Sequence, residues 1–247
     1  MGRYKCLTAM IACLIMVIQA PCVTAQWGDA LEGFKKALGG GDDLSQADMS
    51  QGLKEALEIG TGNAVKSVSQ VDGYYANQNI RIPLPGSIQK AEMLLRAAGY
   101  SSQVDAFLLS MNRAAEKAAP QAKAFFVDAI RQMTFEDARK IISGRDNEAT
   151  LYFKEKTSDH LSEAFKPIIH SAMSEVGVTR YYQDLTGGMQ NIPFMGQTSA
   201  FNLDNYVTNK ALDGLFFMVG EEERKIRQNP AARVTDLLKK VFKGGSN

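Results

Sequence analysis

Apolar residues recur at spacings of three and four along most of the chain, which is the pattern of amphipathic helices. Leu53, Leu57 and Val65 show this spacing clearly, and they predict a helix from about residue 45 to residue 69. The same spacing predicts further helices that begin near residues 87, 101, 120, 134, 147, 204 and 230. Because no run of β-branched residues suggests a sheet, we predict an all-α fold: a compact multi-helix bundle of about eight helices.

Residues 72–87 depart from the helical pattern. Ile80, Ile82 and Leu84 alternate with other residue types, and Pro83 and Pro85 push the residues before them into extended geometry. Proline in a sheet is confined to edges, because it has no N–H to donate. The sequence therefore predicts a short extended arm that contains proline, or an edge strand.

Two predicted helices carry start signals, and a third carries an internal proline. Ser101 or Ser102 should cap the helix that follows them. Thr134 followed by Asp137 resembles a capping box, which should start a short helix. Pro167 falls inside a long predicted helix and should kink it.

The first 25 residues have the three-part layout of a secretory signal peptide. Arg3 and Lys5 precede an uncharged run over residues 6–18, about 13 residues against the roughly 20 that a membrane-spanning helix needs. A small-residue site that ends at Ala25 follows, and we expect cleavage between Ala25 and Gln26. The sequence thus predicts an exported protein, located in the periplasm.

Cleavage at that place divides the chain into three parts. Residues 1–25 are the signal peptide, residues 26–43 an N-terminal segment with a glycine tether, and residues 44–247 a single helical domain. All 3 cysteines lie in the first part and are lost with it. Disulfides and cysteine-bound zinc are therefore not expected in the mature domain, whose fold must be held by its core.

Charge and composition argue against several classes of protein. The 28 basic and 27 acidic residues nearly balance, whereas a nucleic-acid-binding protein shows a basic excess. His160 and His170, the 2 histidines, are about three turns apart on one predicted helix and cannot share a metal ion by themselves. No phosphate-binding loop or dinucleotide fingerprint is present. We predict no cofactor, no metal, no nucleic-acid partner and at most a peripheral membrane contact.

Three polar residues on an alanine-rich helix form the first candidate binding site. Asn112 and Glu116 are four residues apart and share a helix face, and Arg113 lies beside them. Arg113 could hold a carboxylate or phosphate group of a ligand. The competing interpretation is a buried ion pair that fixes helix packing, and we favour this structural role.

Residues 187–203 form the second candidate site. They lack a helical pattern, and loops longer than about 12–15 residues are often lids or binding loops. Phe194, Met195 and Phe201 would be poorly placed in water. We predict that they cover an apolar cavity or meet a partner; the alternative is a loop simply packed on its own domain.

An enzymatic alternative rests on carboxylates. Glu116, Asp159 or Asp213 could serve a hydrolase-like reaction together with Arg113. Residues 156–160 hold a nucleophile, an acid and a base, but adjacent helical residues point in different directions and form no triad. No serine lies in a nucleophile elbow. We therefore favour a role without catalysis.

A run of charged residues over 221–227 resembles a functional motif. At spacings of three and four, Glu221 should meet Arg224 and Lys225, and Glu223 should meet Arg227. We interpret the run as a solvated helix face with local ion pairs.

Nine segments occur in the order found in one bacterial protein family. They are LKEAL (53–57), IRIPLP (80–85), SMNRAAEKAAP (110–120), KTSD (156–159), FKPI (165–168), VGVTRY (176–181), YVT (206–208), KALDGLF (210–216) and NPAAR (229–233). Together they resemble the family catalogued as domain of unknown function 4197 over about residues 44–242. The resemblance implies a helical, exported protein of bacteria of the Gram-negative type, with no catalytic residues to carry over. Some relatives resemble lipoproteins, but Pro21 before Cys22 fits a lipid-attachment signal poorly.

Three functions are compatible with these observations. We favour a non-catalytic envelope protein that binds an apolar or amphipathic ligand, or a partner protein of the envelope. A hydrolase-like enzyme and a structural assembly factor are the alternatives. An enclosed apolar cavity would favour ligand binding, convergent carboxylates in a cleft would favour the enzyme, and a broad exposed apolar patch would favour assembly.

The export prediction is tested by N-terminal sequencing of the protein recovered from the cell envelope. The charged start, the short apolar run and the small-residue site predict a first residue of Gln26. A chain that still begins at Met1, or a lipid on Cys22, would contradict it.

Overall fold

The computed structural model describes residues 46–175, Gly187 and residues 202–228. Over these residues the chain forms seven α-helices and one 3₁₀ turn, with no strand, which confirms the all-α prediction for this part of the chain. The helices are α1 (Gln46–Val68), α2 (Gly86–Ala97), α3 (Ser101–Ala118), α4 (Ala122–Gln132), α5 (Phe135–Ser143), α6 (Glu148–Glu175) and α7 (Leu203–Gln228). The predicted number of about eight is not confirmed, because the last predicted helix lies outside the described residues.

The two longest of the later helices, α6 and α7, form the centre of the core. Buried residues recur every four positions along both: Phe153, Thr157, Leu161, Phe165 and Ile169 on α6, and Val207, Ala211, Leu215, Val219 and Glu223 on α7. Residues four apart lie on one helix face, so each helix buries one continuous stripe. Phe126 of α4 meets the edges of two core rings, with centroid distances of 5.2 Å to Phe153 and 6.2 Å to Phe216.

The remaining helices surround this pair. α1 packs against α4, α5 and α7, and α3 packs against both α6 and α7. Ala114, Ala115 and Ala118 of α3 are fully buried, and their small side chains allow close approach to the neighbouring helices. α2 lies at the periphery with α3 as its main helical neighbour. Within the described ranges, no helix combines the length and the apolarity required to cross a bilayer.

Residues 69–85 form the arm between α1 and α2, in which residues 69–80 are mostly turns and residues 81–85 have no regular secondary structure. Ile80, Ile82 and Leu84 are buried, whereas Arg81 and Pro83 are exposed, so the predicted alternation of faces is present. The segment joins no sheet, so of the two predicted forms the edge strand is wrong. The predicted extended arm over residues 72–87 is wrong in part: residues 72–80 are mostly turns, in which for example the Ala76 N–H donates to the Asp72 carbonyl at 3.1 Å, and residues 86–87 belong to α2.

The arm runs lengthwise along α7, in the opposite direction. The Asn77 amide lies 3.6 Å from the Met218 sulfur near one end, and the Tyr206 hydroxyl donates to the Pro83 carbonyl at 3.0 Å near the other. The stretch of α7 between these contacts is about 18 Å long, at 1.5 Å per helical residue. Since bonds from α3 reach the same segment, the arm occupies the groove between α3 and α7.

The helix-start predictions have different outcomes. Thr134 and Asp137 form a full capping box, and the hydrogen bond from the Thr134 hydroxyl is the main reason that the pKa of Asp137 lies below its usual value. The prediction of a cap at Ser101 or Ser102 is wrong. The Tyr100 N–H closes the end of α2 by donating to the Leu95 carbonyl at 3.0 Å, so Tyr100 is already the cap position of α3. Both serines consequently fall inside the helix.

The helix that contains Pro167 is continuous. α6 runs from Glu148 to Glu175 and includes the proline within its helical span. The kink that we expect at Pro167 stays a prediction.

Alanine substitutions at two glycines test how tightly the arm packs against α7. A methyl group at Gly214 would lie 2.7 Å from a ring carbon of Tyr74 and 3.0 Å from Cβ of Ile80, whereas one at Gly62 would meet nothing within 4 Å. We expect Gly214→Ala to lower the free energy of unfolding by about 1–3 kcal/mol through overpacking. Gly62→Ala, the matched control, should raise it by roughly 0.5–1 kcal/mol through helix propensity. Urea unfolding measures both, and equal stability of the two variants would contradict the arm's position.

Candidate functional site

Asn112 of α3 acts as a hydrogen-bonding partner for the arm. Its Oδ1 accepts from the Ile82 N–H at 2.8 Å, and its Nδ2 donates to the Ile82 carbonyl at 3.0 Å and to the Leu108 carbonyl at 2.8 Å. Both amide donors are therefore used, and the side chain is fully buried. One asparagine thus bonds both backbone groups of Ile82, as a neighbouring strand would in a sheet.

Glu116, one turn further along α3, holds the beginning of the arm. Its Oε1 accepts from the N–H groups of Tyr74 and Tyr75 at 3.1 and 3.2 Å, and its Oε2 accepts from Arg113 at 2.6 Å. The side chain of Glu116 is 5% exposed. A carboxylate removed from water in this way is stabilised by the positive guanidinium and by the two backbone dipoles.

Arg113 links this carboxylate to the turn that precedes it. The guanidinium donates to Asp72 Oδ1 at 2.6 Å as well as to Glu116, and these hydrogen bonds, the one to Glu116 first, raise its pKa above the ordinary value. Asp72 has a φ of 67°, in the left-handed region that few residues other than glycine adopt. A methyl group on Gly73 would lie 2.6 Å from the Ser67 carbonyl oxygen, so the chain doubles back tightly at this point.

The guanidinium groups of two arginines lie near the ring of Tyr75. Arg81 lies 4.3 Å and Arg113 5.9 Å from the ring centroid. Such contacts contribute roughly 0.5–1 kcal/mol each at exposed sites, so they support the arm without defining it.

Tyrosine hydroxyls connect the other side of the arm to α7. The Tyr74 hydroxyl donates to the Ala211 carbonyl at 2.6 Å, and its ring fills the space that Gly214 leaves open. Burial, and then the charge of Glu116, raises the pKa of Tyr74 well above its ordinary value, so the phenol stays protonated as a donor. Tyr206 of α7 donates to the Pro83 carbonyl at 3.0 Å.

The structure brings the three residues of the first candidate site together, and each of them forms hydrogen bonds within the chain. Asn112, Arg113 and Glu116 each bond to the arm or to one another. This geometry matches the structural role that we favour for them. Binding of a ligand by these residues stays a prediction, and Arg113, with its side chain 34% exposed, is the member that solvent can reach.

Glu223 of α7 is a second buried carboxylate, so the prediction that it lies on a solvated helix face is wrong. Glu223 accepts from the N–H groups of Ala149 and Thr150 at 3.0 and 2.8 Å and pairs with Arg227, which also donates to the Ile141 carbonyl. It thereby satisfies free N–H groups in the first turn of α6. The expected Glu223–Arg227 pair is present, but it is buried and not on a solvated face.

The neighbouring charged residues show why the spacing over residues 221–227 predicts the burial of Glu223 wrongly. The Glu221–Arg224 pair is present at the exposed surface, as predicted. Lys225 pairs with Glu222 at 2.6 Å and not with Glu221. Spacing indicates which residues can meet along one helix, but it does not show that the first turn of α6 covers Glu223.

The carboxylates of the hydrolase hypothesis do not join the cluster on α3. Asp213 is exposed and pairs with Lys210 at 3.4 Å, and Asp159 is exposed on α6. His160 stacks on Phe125, and His170 bonds to Asp204 at 2.8 Å. Among the described residues no three His, Cys, Asp or Glu side chains are placed to hold a metal ion.

The other predicted sites lie outside the described residues. These are the loop residues Phe194, Met195 and Phe201 and the expected cleavage site at Ala25 and Gln26. A cleft that is described lies where α1, α5, α6 and α7 meet, between Leu57, Ile141 and Ile226. Its free volume is about 10 Å³, enough for about one water molecule.

The structure reveals one surface feature that the sequence pattern did not single out. The inner face of α2 buries Ile88, Ala91 and Leu95, while its outer face exposes two large apolar side chains, Met93 (78%) and Leu94 (48%). We define the α2 outer face as these two residues with Gln89, Lys90 and Ala97, which are also exposed. Helical spacing could have suggested it, since residues 90, 93, 94 and 97 share a face.

Over the described residues, fold and site together define a helical protein in which a polar network fixes a non-helical arm. The chain belongs to the family described as "Protein of unknown function (DUF4197)", whose model matches residues 43–243. This confirms the resemblance drawn from the sequence. No curated protein and no solved structure matches the chain.

The structural role of Asn112 is tested by Asn112→Ala. The substitution leaves the buried N–H and C=O of Ile82 without partners, at about 1–3 kcal/mol for each, so the free energy of unfolding should fall by at least about 2 kcal/mol. Hydrogen exchange at the Ile82 amide should accelerate as well. Asn63→Ala is the control, because the Asn63 amide bonds only at the surface, to Glu222 at 3.3 Å. A variant at position 112 as stable as the control would contradict the role.

Proposed function

We propose that the protein is a non-catalytic protein of the bacterial envelope that binds a partner protein through the α2 outer face. The observation that carries this proposal is the exposure of Met93 and Leu94 side by side on a helix whose opposite face is already buried. Large apolar side chains that are exposed together mark interaction surfaces more often than single ones do. Methionine suits such surfaces, because its flexible thioether adapts to different partners.

The buried carboxylates of the described residues support a role without catalysis. Glu116 and Glu223 each accept two backbone N–H groups and one arginine. Glu148 lies beside Arg145, whose hydrogen bond is the main cause that lowers its pKa. A general acid or base must be able to reach its substrate. These three carboxylates are instead bound by groups of the chain itself.

Two further features support the class of protein. Residues 1–25 carry the pattern of a signal peptide, which favours an envelope location. The cleft between Leu57, Ile141 and Ile226 has room for about one water molecule, so it does not itself hold an apolar ligand. The ligand-binding alternative places the ligand at the segment that contains Phe194, Met195 and Phe201.

Site-specific photo-cross-linking in living cells tests the proposal. A photoreactive amino acid at position 93 should give a discrete protein adduct. The same group at position 71 should not, because Val71 is equally exposed (77%) but lies on the arm, outside the α2 outer face. Equal labelling from both positions, or none from position 93, would contradict the proposal.

A charge substitution makes the test quantitative. Leu94→Glu places a charge on the α2 outer face, and desolvating that charge on binding should strongly reduce the adduct when the photoreactive group is at position 97. The fold should be unaffected, since Leu94 is about half exposed, and a thermal melt checks this. An undiminished adduct in a folded variant would place the interaction elsewhere.

A further inference from the structure

We propose that Met93 is an oxidation site whose conversion to the sulfoxide switches the α2 outer face from apolar to polar. The inference rests on the proposed function, because the switch acts on the same surface. The site itself is inferred from the exposure of the Met93 side chain and from the lower exposure of the other described methionines.

Met93 is the most exposed methionine among the described residues. Its side chain is 78% exposed, whereas Met111, Met133 and Met173 are at most 3% exposed. Met49 and Met218 are half-buried. Susceptibility of sulfur to oxidation follows its exposure, so the geometry selects Met93 from this set.

The distribution of cysteine adds an independent reason. All 3 cysteines of the chain precede the expected cleavage site at Ala25, so a chain cleaved there has no thiol. Thiols react faster than thioethers with most oxidants, and here none competes.

The reaction is a two-electron oxidation by a hypohalous acid. The Met93 sulfur gains the oxygen atom of hypochlorous acid and loses two electrons. The O–Cl bond breaks, chlorine leaves as chloride after accepting those electrons, and one proton is released. The product is methionine sulfoxide, and methionine sulfoxide reductases reverse the change.

The sulfoxide alters the surface and not the fold. Because the Met93 side chain is solvated, its added oxygen has no packed neighbour to displace. On binding, however, the polar S=O group would have to leave water, which opposes association unless the partner supplies a hydrogen bond. Oxidation should therefore weaken the contact that the α2 outer face makes.

The first part of the test measures oxidation directly. The protein recovered from the envelope is titrated with hypochlorous acid, and peptide mass mapping follows each methionine, with Met189 and Met195 read separately. At low dose, oxidation of Met93 should exceed that of Met111, Met133 and Met173 by at least about tenfold, as their burial predicts. Equal oxidation of these residues would overturn the inference whatever the protein binds.

The second part measures the consequence for binding. With the photoreactive group at position 97, the adduct should decline in step with Met93 oxidation and return after treatment with a sulfoxide reductase. Met49→Leu is the matched control, because it removes a half-buried sulfur on α1 and should leave the dose dependence unchanged.

The outcomes separate the two proposals. An adduct that persists while Met93 is fully oxidised overturns the switch and leaves the proposed function standing. Absence of any adduct before oxidation overturns the proposed function and the switch with it.

Discussion

The structure depends on how a non-helical segment, the arm over residues 69–85, is accommodated among helices. Backbone N–H and C=O groups removed from water must be paired, and an arm between two helices has no neighbouring strand to pair them. In this chain the side chains of α3 do so: Asn112 bonds to Ile82, and Glu116 bonds to Tyr74 and Tyr75. With these bonds in place, the apolar side chains of the arm can fill the groove between α3 and α7 and complete the core.

The same chemical solution is used twice. Glu116 and Glu223 both accept two consecutive backbone N–H groups and are both neutralised by an arginine on their own helix. One carboxylate fixes the arm, and the other fixes the first turn of α6. Glu223 lies on a stripe of α7 that is otherwise apolar, whereas Glu116 shares its face of α3 with Asn112. Each carboxylate fastens a neighbouring segment at a place where apolar contacts alone would distinguish poorly between alternative packings.

The sequence predicted what local patterns determine. Helical spacing located α1 and α7, Pro83 and Pro85 located the arm, and Thr134 with Asp137 located a helix start. The shared face of Asn112 and Glu116 was also predictable, but their partners were not, because Ile82 and Tyr74 lie 30 and 42 residues away. The prediction of a solvated Glu223 is wrong for the same reason, since its backbone partners lie on another helix. Tertiary contacts of this kind leave no periodic trace in the sequence.

The two sides of the arm differ in the chain length that separates their partners, and this affects the order of folding. The bonds to α3 span 30 to 42 residues, whereas those from α7 to Tyr74 and Pro83 span 137 and 123. Contacts between distant residues form late, because a long loop must first be closed. A chain that emerges from its N-terminal end would therefore dock the arm on α3 long before α7 arrives. During that interval the α7 side of the arm, with Tyr74 and Ile80, is unprotected against aggregation.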